Sequence, residues 1–274
     1  MGAMRGLRAG GQGWREKPGN GAVLVCLHGI GSEPGAFDAL AALLPPDLRV
    51  IAWCTPGYGD TPPLDTEWPV AADYAAALGA FVDGLGLGRF HLLGHSLGTL
   101  IAAEYARCHP QRVAGLTLVS CAQGMGVEPG APLPAPAAAR LTDLAALGPV
   151  AFARARANRL VHDPQANPAL VAAVQAGMAQ VRLPGYAQAV RMLASGNLTD
   201  TARHVAVATV IVVGDKDVVT PPAQSKAVWQ ALPAASRRRF DVLPAVGHAL
   251  PQQAPSALAE IVTETLDLTT GDHT

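Results

Sequence analysis

Val23-Leu24-Val25-Cys26-Leu27 is apolar at every position, and a strand without polar alternation has to be covered on both of its faces. Further candidate strands recur at Val50 to Trp53, Phe90 to Leu93, Val113 to Val119, Thr209 to Val213 and Arg239 to Leu243. Helical periodicity fills the intervals. Ala71, Tyr74, Leu78, Phe81, Val82 and Leu85 repeat at three and four residues, one face of an amphipathic helix. The stretch from Ser96 to His109 reads as another helix, stopped by Pro110, with Gly98, Ala102 and Ala103 small enough to lie close on a sheet. Strands alternating with crossover helices predict an α/β fold with a mostly parallel sheet covered on both sides.

The rhythm breaks once. From Gly124 to Arg203 no strand is evident; a Gly- and Pro-rich loop to Pro136 leads into an Ala-rich helical stretch. That is too long for a connector, so it is expected to form a helical cap (124–203) between an N-terminal (1–123) and a C-terminal (204–274) part of the core. With 274 residues, 50% of them hydrophobic, the chain can bury a core without disulfide or metal staples. Charged residues make up 15% and the net charge is -1, which argues against nucleic acid or an anionic membrane as partner. No apolar run approaches the roughly 20 residues of a membrane span. Cys26, Cys54, Cys108 and Cys121 form no C-x-x-C pair and read as reduced, mostly packed thiols of a soluble cytoplasmic protein, with no zinc site. Oligomeric state has no signature in the sequence.

The most specific chemical signal is Gly94-His95-Ser96-Leu97-Gly98, a G-x-S-x-G between an apolar run and a helix. So tight a strand-to-helix turn forces the serine into a strained conformation and exposes its hydroxyl at a helix N-terminus. There the Leu97 N–H and the helix dipole can stabilise an oxyanion. A serine hydroxyl needs a base to take its proton, and the base needs an acid to orient it. Of eight histidines, His248 in Ala245-Val246-Gly247-His248 follows the last strand, where a loop would carry it over the sheet toward Ser96. His28 and His95 belong to backbone motifs, and the other five read as surface or packing residues on helices, in the cap or at the C-terminus. In Gly214-Asp215-Lys216-Asp217 both aspartates stand near the sheet's C-terminal edge, and spacing alone does not choose between them.

With these residues in view, the chain from about residue 20 to 268 resembles the α/β-hydrolase superfamily. The order Ser96, aspartate, His248 is the order of that family. The resemblance implies that Asp217, three residues after the strand-ending glycine, is the acid, leaving Asp215 as a turn or ion-pair residue. It also implies that Ile30, after His28-Gly29, supplies the second oxyanion-hole N–H, and that no cofactor or metal takes part. Two motifs depart from the family pattern. In Trp53-Cys54-Thr55-Pro56-Gly57-Tyr58-Gly59-Asp60-Thr61, Cys54 replaces the usual Asp and Thr61 the usual Ser; after His248, Gln253 stands where Glu is frequent. A serine nucleophile separates the chain from haloalkane dehalogenases and epoxide hydrolases of the same fold.

The expected chemistry is hydrolysis of a small-molecule carboxylic ester or lactone through an acyl-enzyme. Alternatives are hydrolysis of a carbon-carbon bond beside a ketone, as in the similar meta-cleavage product hydrolases, a cofactor-free lyase, and a non-catalytic ligand receptor. In the cap, Met178, Leu183, Tyr186 and Met192 read as core packing or as an apolar pocket lining, with Met178 and Tyr186 the substrate-binding candidates. Arg154, Arg156 and Arg159 read as a solvated helical face, or as the source of one arginine, Arg159, that holds a substrate carboxylate.

Overall fold

The computed structural model describes residues 3–270. Eight strands, β1 (Arg5–Ala9), β2 (Gln12–Lys17), β3 (Val23–Leu27), β4 (Arg49–Trp53), β5 (Phe90–His95), β6 (Val113–Val119), β7 (Thr209–Gly214) and β8 (Arg237–Leu243), form one sheet in the order β1-β2-β4-β3-β5-β6-β7-β8. β3 to β8 pair in parallel, whereas β2 is antiparallel to β1 and β4. The helices are α1 (Asp38–Leu43), α2 (Ala71–Gly84), α3 (Gly98–Cys108), α4 (Ala135–Arg156), α5 (Pro168–Met178), α6 (Gly185–Ser195), α7 (Leu198–Ala202), α8 (Pro222–Ala231), α9 (Leu250–Gln253) and α10 (Pro255–Thr270).

The continuous apolar runs are explained by two cores of opposite facing. Val25, Leu27, Ile51, Trp53, Leu92, Leu116 and Ile211 point to one side, where Tyr74, Leu78, Phe81, Ile101 and Tyr105 of α2 and α3 cover them. Leu24, Cys26, Val50, Ala52, Leu93, Val119, Val210 and Val212 alternate to the other, under Leu40 of α1 and Leu258, Ile261 and Val262 of α10. α3 lies close on the sheet because Gly98 has no side chain: a Cβ there would come within 2.4 Å of the Leu27 carbonyl oxygen.

All six expected strands are present, with ends moved by at most two residues. The β1–β2 hairpin was not anticipated. Its turn is Gly10-Gly11, both at positive φ (56° and 76°), and its edge strand β1 carries Arg5 and Arg8. Charge on an edge strand opposes pairing with another chain. Between β6 and β7 the described residues contain helices and no strand. α4 is broken at Gly148 (φ 71°) before Pro149, and Arg156 closes the break with an ion pair to Asp143 at 2.7 Å. Among the described residues no helix is long and apolar enough to cross a membrane.

Candidate active site

β5 ends in a turn in which Ser96 is held at φ 53°, a left-handed conformation that costs a non-glycine residue of order 1–3 kcal/mol. The neighbouring sheet bears that strain. The Ser96 N–H donates to Val119 O at 2.9 Å, continuing the β5–β6 ladder, and Thr99 donates its N–H to Ser96 O at 2.9 Å. The hydroxyl is left pointing at His248, with Ser96 Oγ to His248 Nε2 at 2.9 Å. On the far side of the ring His248 Nδ1 donates to Asp217 Oδ2 at 2.8 Å. All three side chains are buried.

Asp217 Oδ1 accepts the N–H groups of Val219 (2.9 Å) and Thr220 (2.8 Å), and the Thr220 hydroxyl lies 2.9 Å from Oδ2. Burial pushes this carboxyl up, but the hydrogen bond and charge of His248 and the Thr220 donors outweigh it and hold the group down at about 2. Asp217 is therefore an anion at neutral pH, and a carboxylate can only accept, so Nδ1 keeps its hydrogen and Nε2 presents a lone pair to Ser96. Asp215 instead pairs with Lys216 at 3.1 Å.

The loop after β3 lies against the serine. A Cβ on Gly29 would come within 2.9 Å of Ser96 Cβ, so only glycine allows this approach. Among the described residues the N–H groups of Ile30 and Leu97 have no acceptor, which leaves two donors free beside Ser96. The loop is pinned by the Gly31 N–H, which donates to Tyr58 Oη at 3.2 Å, and by His28, whose Nδ1 donates to Gly29 O at 2.9 Å while Nε2 accepts from Thr55. The Pro56-Gly57-Tyr58 turn thus acts by holding the Ile30 loop. Cys54 takes no part: its thiol donates to Tyr58 O at 3.0 Å and burial pushes it up, away from the reactive thiolate.

A cavity of about 440 Å³ opens over Ser96, His248 and Ile30, and residues from 122–193 form most of its remaining wall. Met178 and Tyr186 line it; a Cβ on Gly31 would lie 3.5 Å from Met178 Cγ and 3.8 Å from Tyr186 Cε2. Leu183, which is exposed, and Met192, which packs in the core, are not among the residues that line it. Arg156 and Arg159 also line the cavity; Arg156 is half-buried, which corrects its reading as part of a solvated face, whereas Arg154 and Arg159 are exposed and fit that reading. The sequence reading gave no role to three residues: Thr220, Tyr58 and Arg140, which lies on α4 and donates to Tyr186 Oη at 3.4 Å. His91, expected on a helix or in the cap, is on β5 and buried, Cys108 is exposed, and His273 lies outside the described residues.

The profile of the Alpha/beta hydrolase family matches residues 24–261. The chain belongs to that family. Among solved structures of the same α/β-hydrolase fold, an enol-lactonase from Burkholderia xenovorans LB400 superposes with a TM-score of 0.83 at 20% identity, covering 96% of this chain and 100% of that one. A thermophilic esterase from Thermogutta terrifontis, with malate bound, gives 0.81 at 22% identity over 97% and 98%. In sequence, a 2-hydroxy-6-oxononadienedioate/2-hydroxy-6-oxononatrienedioate hydrolase from Pseudomonas putida is 36% identical over 42% of each chain. The matches span between 30% and 51% of the length of the curated relatives.

Proposed function

We propose that the chain is a serine hydrolase acting on a small-molecule carboxylic ester or lactone. The observation that carries this reading is the hydrogen-bonded chain Asp217–His248–Ser96 ending beside two unpaired N–H groups. In the proposed reaction His248 Nε2 takes the Ser96 proton as Oγ attacks the carbonyl carbon, and the Ile30 and Leu97 N–H groups hold the oxyanion. The intermediate collapses to an acyl-serine as His248 protonates the leaving alkoxide. Water, deprotonated by His248, then attacks the acyl carbon and releases the acid with Ser96 restored.

In this reading residues 124–203 act as a cap that roofs the site, with Met178, Tyr186 and Arg159 touching substrate away from the reacting carbon. The four free thiols fit a cytoplasmic location. The test is a screen of p-nitrophenyl esters, lactones and ring-cleavage dienones with wild type and Ser96→Ala side by side. Ser96→Ala is expected to remain folded and to lose activity by several orders of magnitude, and a fluorophosphonate should label Ser96. Labelling at another serine, or full activity in the variant, would discard the mechanism. Turnover of dienones alone would favour the carbon-carbon hydrolase reading, for which the Pseudomonas putida relative is the precedent. Binding without product would indicate a receptor.

A further inference from the structure

The charge lining the cavity is one-sided. Arg140, Arg156 and Arg159 all contribute to the wall, and none of the lining residues is an aspartate or glutamate. The triad carboxylate, Asp217, stands behind the His248 ring. Of the three guanidinium groups, only that of Arg156 is neutralised, by Asp143 at 2.7 Å, and it also packs over the Phe152 ring. Among the described residues Arg140 and Arg159 have no carboxylate partner. Arg140 is half-buried, and its one hydrogen bond, the 3.4 Å contact to Tyr186 Oη, is long and leaves most of its five donors unused. Removing a guanidinium from water without an anion is unfavourable, so the half-buried Arg140, with the exposed and likewise unpaired Arg159 on the same cavity wall, marks a place for a negative group.

The position of that place relative to the chemistry is fixed by Tyr186. Its Cε2 lies over Gly31, next to Ile30 with its free N–H, and the hydroxyl on the adjoining ring carbon meets Arg140. The guanidinium therefore meets the same end of the tyrosine ring as the Gly31 backbone beside the proposed oxyanion site, a gap that a few methylene groups span. Arg159 sits nearer the mouth, on a segment stitched to the His248 loop by the Ala249 N–H, which donates to Leu160 O at 2.7 Å, and by Gln253, whose amide bridges Gly247 N and the His162 backbone. Neither arginine depends on a mobile loop for its placement.

We infer that Arg140 and Arg159 form a carboxylate subsite, and that the substrate is an acidic ester or lactone whose free carboxylate lies a few carbons from the reacting carbonyl. The assignment rests on the serine hydrolase reading of the same cavity. Its test uses wild type, Arg140→Gln, Arg159→Gln, the double variant, and Arg154→Gln as an exposed control outside the cavity. Two measurements are made: kcat/KM for methyl hydrogen adipate against dimethyl adipate, and calorimetric binding of adipate.

Wild type should favour the acidic monoester, and each cavity variant should lose about 10- to 100-fold on it, the worth of one charged hydrogen bond. Dimethyl adipate should be little affected. Adipate binding should weaken in the same variants and with added salt, while Arg154→Gln behaves as wild type. Equal losses on the two esters, a wild-type preference for the neutral diester, or adipate binding insensitive to both arginines would overturn the subsite. Fluorophosphonate labelling of Ser96 in every variant separates the two ideas: lost labelling in wild type sinks the hydrolase reading, whereas adipate binding still decides the subsite by itself.

Discussion

Asp217 receives donors from four groups, the His248 ring, two backbone N–H groups and the Thr220 hydroxyl, and this makes the carboxylate charge inseparable from the placement of the ring. In Asp217→Asn the amide can donate to Nδ1, which would move the imidazole hydrogen to Nε2 and turn the lone pair away from Ser96. Turnover is expected to fall by roughly 10³-fold or more, with the fold intact by circular dichroism. Asp215→Asn, which only loses a bond to Lys216, should change turnover little; reversed behaviour of the pair would relocate the acid. The sequence by itself left these two aspartates tied, because a four-residue turn presents both near the sheet edge and only three-dimensional direction separates them. Resemblance broke the tie. Thr220 left no comparable mark, since a threonine three residues past an aspartate is common in any turn.

At the scale of elements, what was legible followed from backbone periodicity and what was missed followed from contact across the chain. β3 to β8 announce themselves as short runs rich in apolar and β-branched residues, α2 by three-and-four spacing, and α3 by its small residues and the stop at Pro110. The β1–β2 hairpin did not, because half of it is an exposed edge with charged residues; its one usable signal was the Gly10-Gly11 pair, a favoured two-residue hairpin turn. The attachment of α6 was equally hidden. Gln188 donates to Leu64 O and Thr66 O, both at 2.7 Å, and accepts the Leu64 N–H at 3.1 Å, partners 122 and 124 positions away. If that amide anchors the Tyr186 end of α6 over the Ile30 loop, Gln188→Leu should leave three backbone groups of the 64–66 loop unsatisfied. It is expected to lower stability by about 1–3 kcal/mol in urea unfolding and to change substrate ranking more than fluorophosphonate labelling of Ser96. Met178→Ala and Tyr186→Ala should shift ranking and KM in the same sense. Uniform loss of labelling and turnover together would mean that α6 serves the bond-breaking groups and not substrate choice.

For the whole molecule, the same burial that builds the site sets its tolerance of acid. Burial pushes the imidazoles of His28 and His91 down to about 4 and that of His95 to about 3. Two of these rings make bonds that require the neutral form or leave no room for a second proton's partner: His28 Nε2 accepts from Thr55, and His95 donates Nε2–H to His248 O while its buried Nδ1 has no partner. In the unfolded chain each ring returns to an ordinary value near 6.5. A group whose folded value is depressed contributes stability above the unfolded value and loses it as the pH falls toward the folded one. Between about pH 6.5 and pH 4 the unfolded chain therefore binds up to three more protons than the folded one, a slope near 4 kcal/mol per pH unit. That is large beside the roughly 5–15 kcal/mol by which domains are stable. Asp217, held at about 2, adds its loss with the same sign but only below about pH 4. Urea unfolding at successive pH values should show stability declining steeply from pH 6.5 to 5, well before the carboxylates titrate, and His91→Gln, if it folds, should reduce the slope by about one third. Stability that stays level down to pH 5 would show that these rings are as easily protonated in the folded protein as in the unfolded chain, and would remove buried histidine as the acid-sensitive element of this fold.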